Sequence, residues 1–181
     1  HVALAVSSPS IAKAEGTDGQ RLAEFHKMQF IGWSGISFTC QPMKGIDWQL
    51  SSCQLVAQEF ALIAAQSNIP ISSCVDCDNV NRLLAKRNAN LTHPLNLAVE
   101  FVTTSDGNSG VVNVDAESFY ANAVEAFASA PSPDASPRSG TLKLWNKWIA
   151  FQAGNNPSSS ITPHIVGNIK EFVAVYITAN R

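Results

Sequence analysis

Residues 47–77 read DWQLSSCQLVAQEFALIAAQSNIPISSCVDC, and this stretch decides the fold class. Its first two thirds place apolar side chains three and four residues apart, which predicts an amphipathic helix that Asp47 or Ser51 can cap. The last third predicts a short strand that leads into Cys74 and Cys77. A long helix followed at once by a strand indicates a domain that mixes both kinds of element.

Further strands are predicted on both sides of this stretch. Residues 29–39 form the first, and the glycines inside it, Gly32 and Gly35, indicate a bulge or a close approach of two backbones. Residues 95–102 alternate apolar and polar side chains, which is typical of a half-buried strand. A segment dense in turn formers follows, so residues 111–114 are expected to return beside that strand as a hairpin.

The last third of the chain combines helices with an aromatic strand. Asp115 is expected to cap a helix that carries Phe119, Tyr120, Val124 and Phe127 toward the core. A loop rich in Pro and Ser precedes a strand over residues 141–151. The spacing of apolar residues after Thr162 and Pro163 favours a C-terminal helix, although residues 172–178 are also rich in strand formers.

Together these elements predict an α+β fold: a single compact domain with a mixed or antiparallel sheet of about five strands packed against three or so helices. The length of 181 residues favours one domain over two. Residues 16–181 are assigned to this domain. Residues 1–15 are expected to be an N-terminal arm or the remnant of a signal peptide, because they open with apolar residues and end in a small-x-small pattern.

Amino-acid composition restricts the possible cellular compartments and binding partners of the protein. Charged residues make up only 14% of the chain, against roughly 25% in an average globular protein. The net charge is −2 and no segment concentrates Lys or Arg, which argues against a nucleic-acid partner. The longest apolar runs, residues 60–65 and 172–177, are far shorter than the roughly 20 residues that cross a bilayer, so no membrane span is expected.

The four cysteines are the most informative residues. Cys40 follows the first predicted strand, Cys53 lies in the main helix, and Cys74 and Cys77 follow the next strand. A right-handed crossover between parallel strands would bring all four to one end of the sheet. Four cysteines allow three pairings, and Cys40 with Cys53 and Cys74 with Cys77 are favoured because each pair is adjacent in sequence. Structural disulfides imply a periplasmic or secreted protein.

The same cysteines leave two other interpretations open. Cys74 and Cys77 form a C-x-x-C pair between a strand and a helix, where a helix N-terminus can lower the pKa of a thiol, so thiol redox chemistry is one alternative. The negative charges of the neighbouring Asp76 and Asp78 would disfavour a thiolate there and so raise the pKa of the thiol. Four cysteines can also hold zinc, but one C-x-x-C with two lone cysteines lacks the spacing of paired knuckles. No metal and no cofactor are therefore expected.

One strand carries the candidate binding face. If residues 141–151 are extended, Lys143, Trp145 and Lys147 share a face, where a tryptophan between two lysines is suited to a sugar ring or a partner protein. The lysine stems can instead simply cover the tryptophan. The opposite face of the strand is apolar and is expected to lie in the core; its residues are Leu142, Leu144, Trp148 and Ala150.

The sequence therefore predicts an exported, disulfide-stabilised, noncatalytic binding or accessory domain, whose partner is an unknown protein or small ligand. The first alternative is an exported thiol-disulfide oxidoreductase that uses Cys74 and Cys77. The second is a small secreted hydrolase, for which catalytic residues are unknown. The nearest nucleophile pattern, Gly32-Trp33-Ser34-Gly35, fails G-x-S-x-G because Ile36 follows it.

Overall fold

The computed structural model of the chain describes residues 28–120, 140–152 and 157–181. Within these residues, a five-stranded mixed sheet packs against two long helices and one shorter helix, and the predicted α+β class is confirmed. The elements, in chain order, are β1 (Ile36–Gln41), α1 (Asp47–Gln66), β2 (Ile71–Val75), α2 (Asn79–Asn88), β3 (Leu95–Thr103), β4 (Ser109–Tyr120), β5 (Gly140–Gln152) and α3 (Pro157–Ala179).

The sheet has the strand order β2-β1-β3-β4-β5. The first three strands in that order are parallel, with Ile36 beside both Ile71 and Leu95. The last two strands join by antiparallel pairing, β3 to β4 and β4 to β5. Parallel strands need crossover helices, whereas antiparallel strands can follow one another directly, and the chain uses both solutions.

Helices α1 and α3 cover one face of the sheet and enclose the main core. Rings meet across the layers: Phe38 of β1 lies 5.3 Å from Phe60 of α1, and Trp145 of β5 lies 5.5 Å from Phe172 of α3. The strand residues that point into this core are Ile36, Phe38, Cys40, Leu95, Leu97, Val99, Phe101, Val112, Val114 and Ala116. Removal of this apolar surface from water supplies the main driving force for the fold.

Helix α2 lies on the opposite face and packs mainly against β2. The chain moves one way across the sheet from β1 to β2 and the other way from β2 to β3. Right-handed crossovers in opposite directions place their helices on opposite faces, which explains why α1 and α2 are separated by the sheet. The face with α2 is called the open face below, because α2 covers only the part of it around β2 and β1.

The predicted first strand was wrong at its start. Residues 28–30 are helical, and β1 begins only at Ile36. Gly32 has a φ of +85° and Gly35 a φ of +147°, values that L side chains rarely adopt and that interrupt an extended chain. A Cβ at Gly35 would lie 2.3 Å from the carbonyl oxygen of Pro70, so the expected close backbone approach is present at this glycine.

The predicted helix after Asp115 was also wrong. Strand β4 continues through Asp115 to Tyr120 and pairs with β3 on one side and β5 on the other. The Asp115 carboxylate accepts hydrogen bonds from Lys143 and Asn146 of β5 instead of capping a helix. Cross-strand pairing on both sides outweighs a local capping signal, because residues that suit a cap also occur within strands.

The helix boundaries differ slightly from those expected. The N-cap of α1 is Ile46, without a side-chain cap, while Asp47 lies in the first turn and Ser51 donates to the Asp47 carbonyl. The C-terminal segment is a helix rather than a strand. It begins at Pro157, so Pro163 lies inside it.

Several predictions fall outside the described residues. These are the arm or signal remnant at residues 1–15, the part of the predicted helix that contains Val124 and Phe127, and the loop rich in Pro and Ser up to residue 139. Among the described residues, none of the helices combines the length and the apolar character that a membrane span requires.

Candidate functional site

Helix α2 forms for clear local reasons but is poorly packed. Asp78 is its N-cap, and the carboxylate accepts a hydrogen bond of 2.7 Å from the Asn81 backbone N–H. All ten residues of α2 are described, and none of them is buried. Large apolar side chains are exposed instead, including Val80 and Leu83, which is 67% exposed. Burial of an apolar stripe is therefore not what holds this helix.

Polar and covalent links attach α2 to the sheet. The Cys74–Cys77 disulfide joins the end of β2 to the residue before the N-cap. Arg82 donates to the Gln41 amide oxygen at 2.9 Å and to the Cys77 carbonyl at 3.2 Å. Lys86 donates to the Asn96 amide oxygen at 2.8 Å. These side chains bridge a gap between the helix and the sheet rather than filling it.

That gap is a groove with two ends, called the α2 groove below. Each end is a cavity, of about 530 Å³ and about 570 Å³, and both lie within the size range of small-ligand sites. The two cavities share Leu83, Lys86 and Asn96. A ligand that lies along the groove would therefore pass the Lys86 ammonium.

The mixed end of the groove lies over the middle of the open face. Its helix wall carries Arg82 and Lys86, and its floor carries Glu100 and Glu117. The neutral polar residues Thr39, Gln41, Asn79 and Asn96 and the apolar residues Leu83, Ala98 and Val99 complete the lining. Both signs of charge converge on this cavity, and the floor residues belong to strands β1, β3 and β4, which the sheet holds rigidly.

A buried charge network adjoins the mixed end. The Asp115 side chain is fully buried on the open face and accepts from Lys143 Nζ and Asn146 Nδ2. Glu117 Oε1 lies 4.0 Å from the same ammonium. Burial, followed by the Asp115 carboxylate, raises the pKa of Glu117, and Lys143 opposes this only in part. The hydrogen bond to Asp115 raises the pKa of Lys143.

The cationic end of the groove lies beside the start of β3. Trp33 stacks on His93, with ring centroids 4.6 Å apart and planes 15° apart. Lys86 and Arg87 of α2 line the same cavity, together with the exposed polar residues Asn90 and Thr92 and no carboxylate. Burial and the nearby Arg82 guanidinium lower the pKa of Lys86.

The crevice at the other end of the parallel strands is partly filled. Open parallel sheets often bind ligands between the carboxyl ends of diverging strands, here β1 and β3. Fully buried Gln49 occupies that position: it accepts from the Met43 backbone N–H at 2.7 Å and donates to Thr103 Oγ1 at 3.3 Å. The Ile46 methyl groups pack where a Cβ of Gly107 would lie. The side chains of Gln49 and Ile46 therefore occupy part of this crevice.

All four cysteines are in disulfides, Cys40 with Cys53 and Cys74 with Cys77, which are the pairs favoured from sequence. They lie at the carboxyl end of β1 and β2, but on different faces. Cys40 points toward α1 in the core, whereas Cys74 is one register position away, beside Thr39, and points to the open face. No thiolate remains to bind zinc, and the described residues contain no group of three His, Cys, Asp or Glu side chains placed for a metal ion.

The three residues of the candidate binding face do not share a face. The pairing of β4 with β5 shifts between Ala116 and Glu117, so that Ala116 faces Trp145 whereas Glu117 faces Lys143. This bulge puts Lys143 on the open face, while Trp145 and Lys147 lie toward α3, where Trp145 packs on Phe172. Lys147 pairs with Glu171 of α3 at 2.9 Å.

The assignment of the opposite face of β5 to the core was wrong for three of its four residues. Trp148 was expected in the core, but it is 65% exposed, and Leu142 and Ala150 are exposed as well. Leu144 packs against the core, as expected. Ile149 and Phe151 pack against the core instead. Both alternations of β5 are rich in apolar residues, so its own sequence does not distinguish them, and the pairing with β4 decides which one faces inward.

Sequence reasoning missed the α2 groove. The available signal was the composition of α2, which has Arg82, Lys86 and Arg87 but no acidic residue, a local concentration of cations that we did not predict. The carboxylates on the floor come from strands far away in sequence, so their convergence could not be read from spacing.

Comparison of this chain with protein-family models, with curated proteins and with solved structures finds no match.

Proposed function

We propose that this chain is an exported, disulfide-stabilised binding domain that takes a small ligand in the α2 groove, with no catalytic step of its own. The observation that carries the proposal is the construction of the groove. Its floor is a rigid sheet, and its wall is a helix that buries no residue and directs two cations, Arg82 and Lys86, into the gap.

The polar groups of the groove favour binding over catalysis. A pocket with a few convergent polar groups is the default binding-site hypothesis for a structure. The Asp115 carboxylate beside it is fully buried, and both its oxygens already accept hydrogen bonds, so a substrate cannot reach it.

Export to the periplasm or to the outside of the cell is supported by the cysteines. Each of the four forms a disulfide, and stable disulfides are common in oxidising compartments and rare in the cytosol. Thiol titration of the protein taken from its native source tests this part. We expect no free thiol; free thiols at Cys40 and Cys53 would contradict export.

A fragment screen with NMR chemical-shift mapping tests the ligand site. We expect hits to shift amide signals of α2 and of the open-face residues of β3 and β4. An Arg82→Gln/Glu117→Gln double variant should lose hits at the mixed end. The matched control Arg181→Gln/Glu59→Gln, with the same charge changes at exposed positions outside the lining of the α2 groove, should keep them. Hits that map to other surfaces, or that survive in the first double variant, would contradict the proposal.

One observation favours the oxidoreductase as a second candidate. Cys77 immediately precedes the N-cap of α2, so the predicted sequence of strand, C-x-x-C and helix is present. In that reaction a substrate dithiol would be oxidised to a disulfide, and its two electrons and two protons would reduce the Cys74–Cys77 bond to two thiols. Cys74 is buried and Cys77 half-buried, which limits attack by a substrate thiol.

Equilibration with a graded series of glutathione potentials separates the two candidates. A binding domain should keep the Cys74–Cys77 disulfide until the potential falls below about −300 mV, as structural disulfides do. Reduction of this bond alone at about −200 mV, with the fold retained, would instead support the oxidoreductase.

A further inference from the structure

The cations of α2 have no acidic partner among the described residues. Salt bridges among the described residues involve only Lys143 and Lys147, both of β5. Within that part of the chain, Arg82 and Lys86 donate hydrogen bonds only to neutral oxygens. The chain as a whole carries a net charge of −2, so this local excess of positive charge is not a general property of its surface.

Helix energetics explain part of this pattern but not all of it. Cations in the last turn of a helix interact favourably with its macrodipole, which accounts for the presence of Lys86 and Arg87 there. The macrodipole does not require Lys86 to be half-buried, where it loses hydration beside the Arg82 guanidinium. A partly desolvated ammonium whose only described acceptor is the neutral Asn96 amide is stabilised by any anion that enters the cavity.

The rest of the cationic end fits an anion that also has an apolar surface. Arg87 supplies a second cation, Asn90 and Thr92 supply exposed hydrogen-bonding groups, and the stacked pair of Trp33 and His93 forms an aromatic wall. Aromatic walls of this kind pack against the apolar faces of rings. The mixed end has two carboxylates in its lining, whereas the cationic end has none.

From these observations we infer that the cationic end of the α2 groove binds a small organic anion that has a carboxylate or phosphate group on a ring, of the class of acidic sugars and sugar phosphates. The anionic group lies between Lys86 and Arg87, and the ring lies against the Trp33–His93 wall. This inference rests on the proposed function, since it assigns a ligand class to the same groove.

Titration with three sugars tests the inference: glucuronate, glucose 6-phosphate and the neutral glucose, each followed by calorimetry and by amide shifts at low ionic strength. We expect at least one of the two anions to bind and to shift signals of residues 33 and 86–93, whereas glucose does not. The response to the two anions distinguishes a carboxylate site from a phosphate site.

Two variants and one matched control locate the site. Lys86→Met keeps most of the side-chain stem and removes the charge, so we expect affinity for the anion to fall by about 10-fold or more. Arg87→Gln should weaken binding in the same direction. Lys170→Met removes the same charge at an exposed position of α3, on the other side of the sheet, and should leave the affinity unchanged.

Several results would overturn the inference. They are equal binding of glucose and the anions, equal losses in Lys86→Met and Lys170→Met, and failure of both anions to bind. If fragments still map to the mixed end beside Glu117, the proposed function stands and only the assignment of the anion fails. If no fragment and no anion shifts any signal of the groove, both fail.

Discussion

Helices α1 and α2 occupy equivalent places in the chain and are held in opposite ways. Each connects two parallel strands of the same sheet. Helix α1 buries six residues, among them Cys53, Val56 and Phe60, and encloses the core together with α3. Helix α2 buries none and is attached by a disulfide, an arginine and a lysine.

The difference separates stability from binding. Apolar burial makes α1 part of the structure that must form for the chain to fold. The polar attachment of α2 leaves a gap beneath it and directs cations into that gap, which apolar packing would have closed. The open face can therefore hold a site without weakening the core on the other face.

The largest expected effect compares one residue of each helix. Phe60→Ala should lower the free energy of unfolding by about 3–5 kcal/mol, because Phe60 is fully buried and the substitution leaves a cavity. Leu83→Ala in α2 should change it by no more than about 0.5 kcal/mol, because that side chain is mostly exposed. Urea unfolding measures both, and similar losses would show that α2 is packed as firmly as α1.

The next largest effect compares the losses in the free energy of unfolding when each of the two disulfides is removed. The Cys40–Cys53 bond spans 13 residues of sequence and lies in the core, so Cys40→Ala/Cys53→Ala should cost about 3 kcal/mol. The Cys74–Cys77 bond closes a loop with a sequence separation of only 3. Cys74→Ala/Cys77→Ala should therefore lower the free energy of unfolding by less, about 2 kcal/mol. Hydrogen exchange should show the second loss mainly as faster exchange in α2; uniform acceleration across the core strands would contradict this assignment.

Loss of the Lys143 ammonium should have an intermediate effect. Lys143→Met leaves buried Asp115 with Asn146 as its remaining partner, which should cost about 2 kcal/mol. Lys147→Met removes an exposed pair with Glu171 and should cost at most about 1 kcal/mol. Because the folded-state pKa of Lys143 is raised above 10.5, its contribution is complete below pH 10.5 and is lost as the pH rises through the folded value. Wild type, but not Lys143→Met, should show this alkaline loss.

The smallest effect tests the electrostatics of the groove floor. Burial raises the pKa of Glu117 in the folded state above 4.5, so the folded protein binds its proton more tightly than the unfolded chain. Its charged form therefore opposes folding, and this penalty grows as the pH rises from 4.5 through the folded pKa. Glu117→Gln should increase stability at pH 7 by up to about 0.5 kcal/mol, and the gain should vanish near pH 4. Thermal unfolding at the two pH values checks this; an equal gain at both would exclude the proposed cause.

Most of the fold could be predicted from periodicity and turn chemistry. The helices α1, α2 and α3, the strands β2, β3 and β5, and the disulfide pairs follow from local patterns. Two of the failures share one cause. The end of β4 and the inward face of β5 depend on which strands lie beside them, and that information is spread over residues 95–152 rather than carried by any single segment.

The candidate site was less predictable than the fold. The cations Arg82, Lys86 and Arg87 are visible in the sequence of α2, but a short basic helix is usually a solvated one. The pairing of the strands brings Glu100 and Glu117 close to these cations, and the turn before β1 brings Trp33 close to them. The candidate binding face was dispersed by a single bulge, which reverses the alternation of every residue beyond it.

The sequence by itself determined the α+β class and the main helix and favoured the observed cysteine pairs, because each of these depends on patterns within short segments. Only the tertiary structure decided that α2 leaves a gap between itself and the sheet, and that charges from α2, β3 and β4 converge on this gap. It also decided that Lys143 and Trp145 lie on opposite faces of the sheet. The physical reason is that periodicity encodes which residues can share a face of one element. Only the pairing and crossover of elements determine which faces meet.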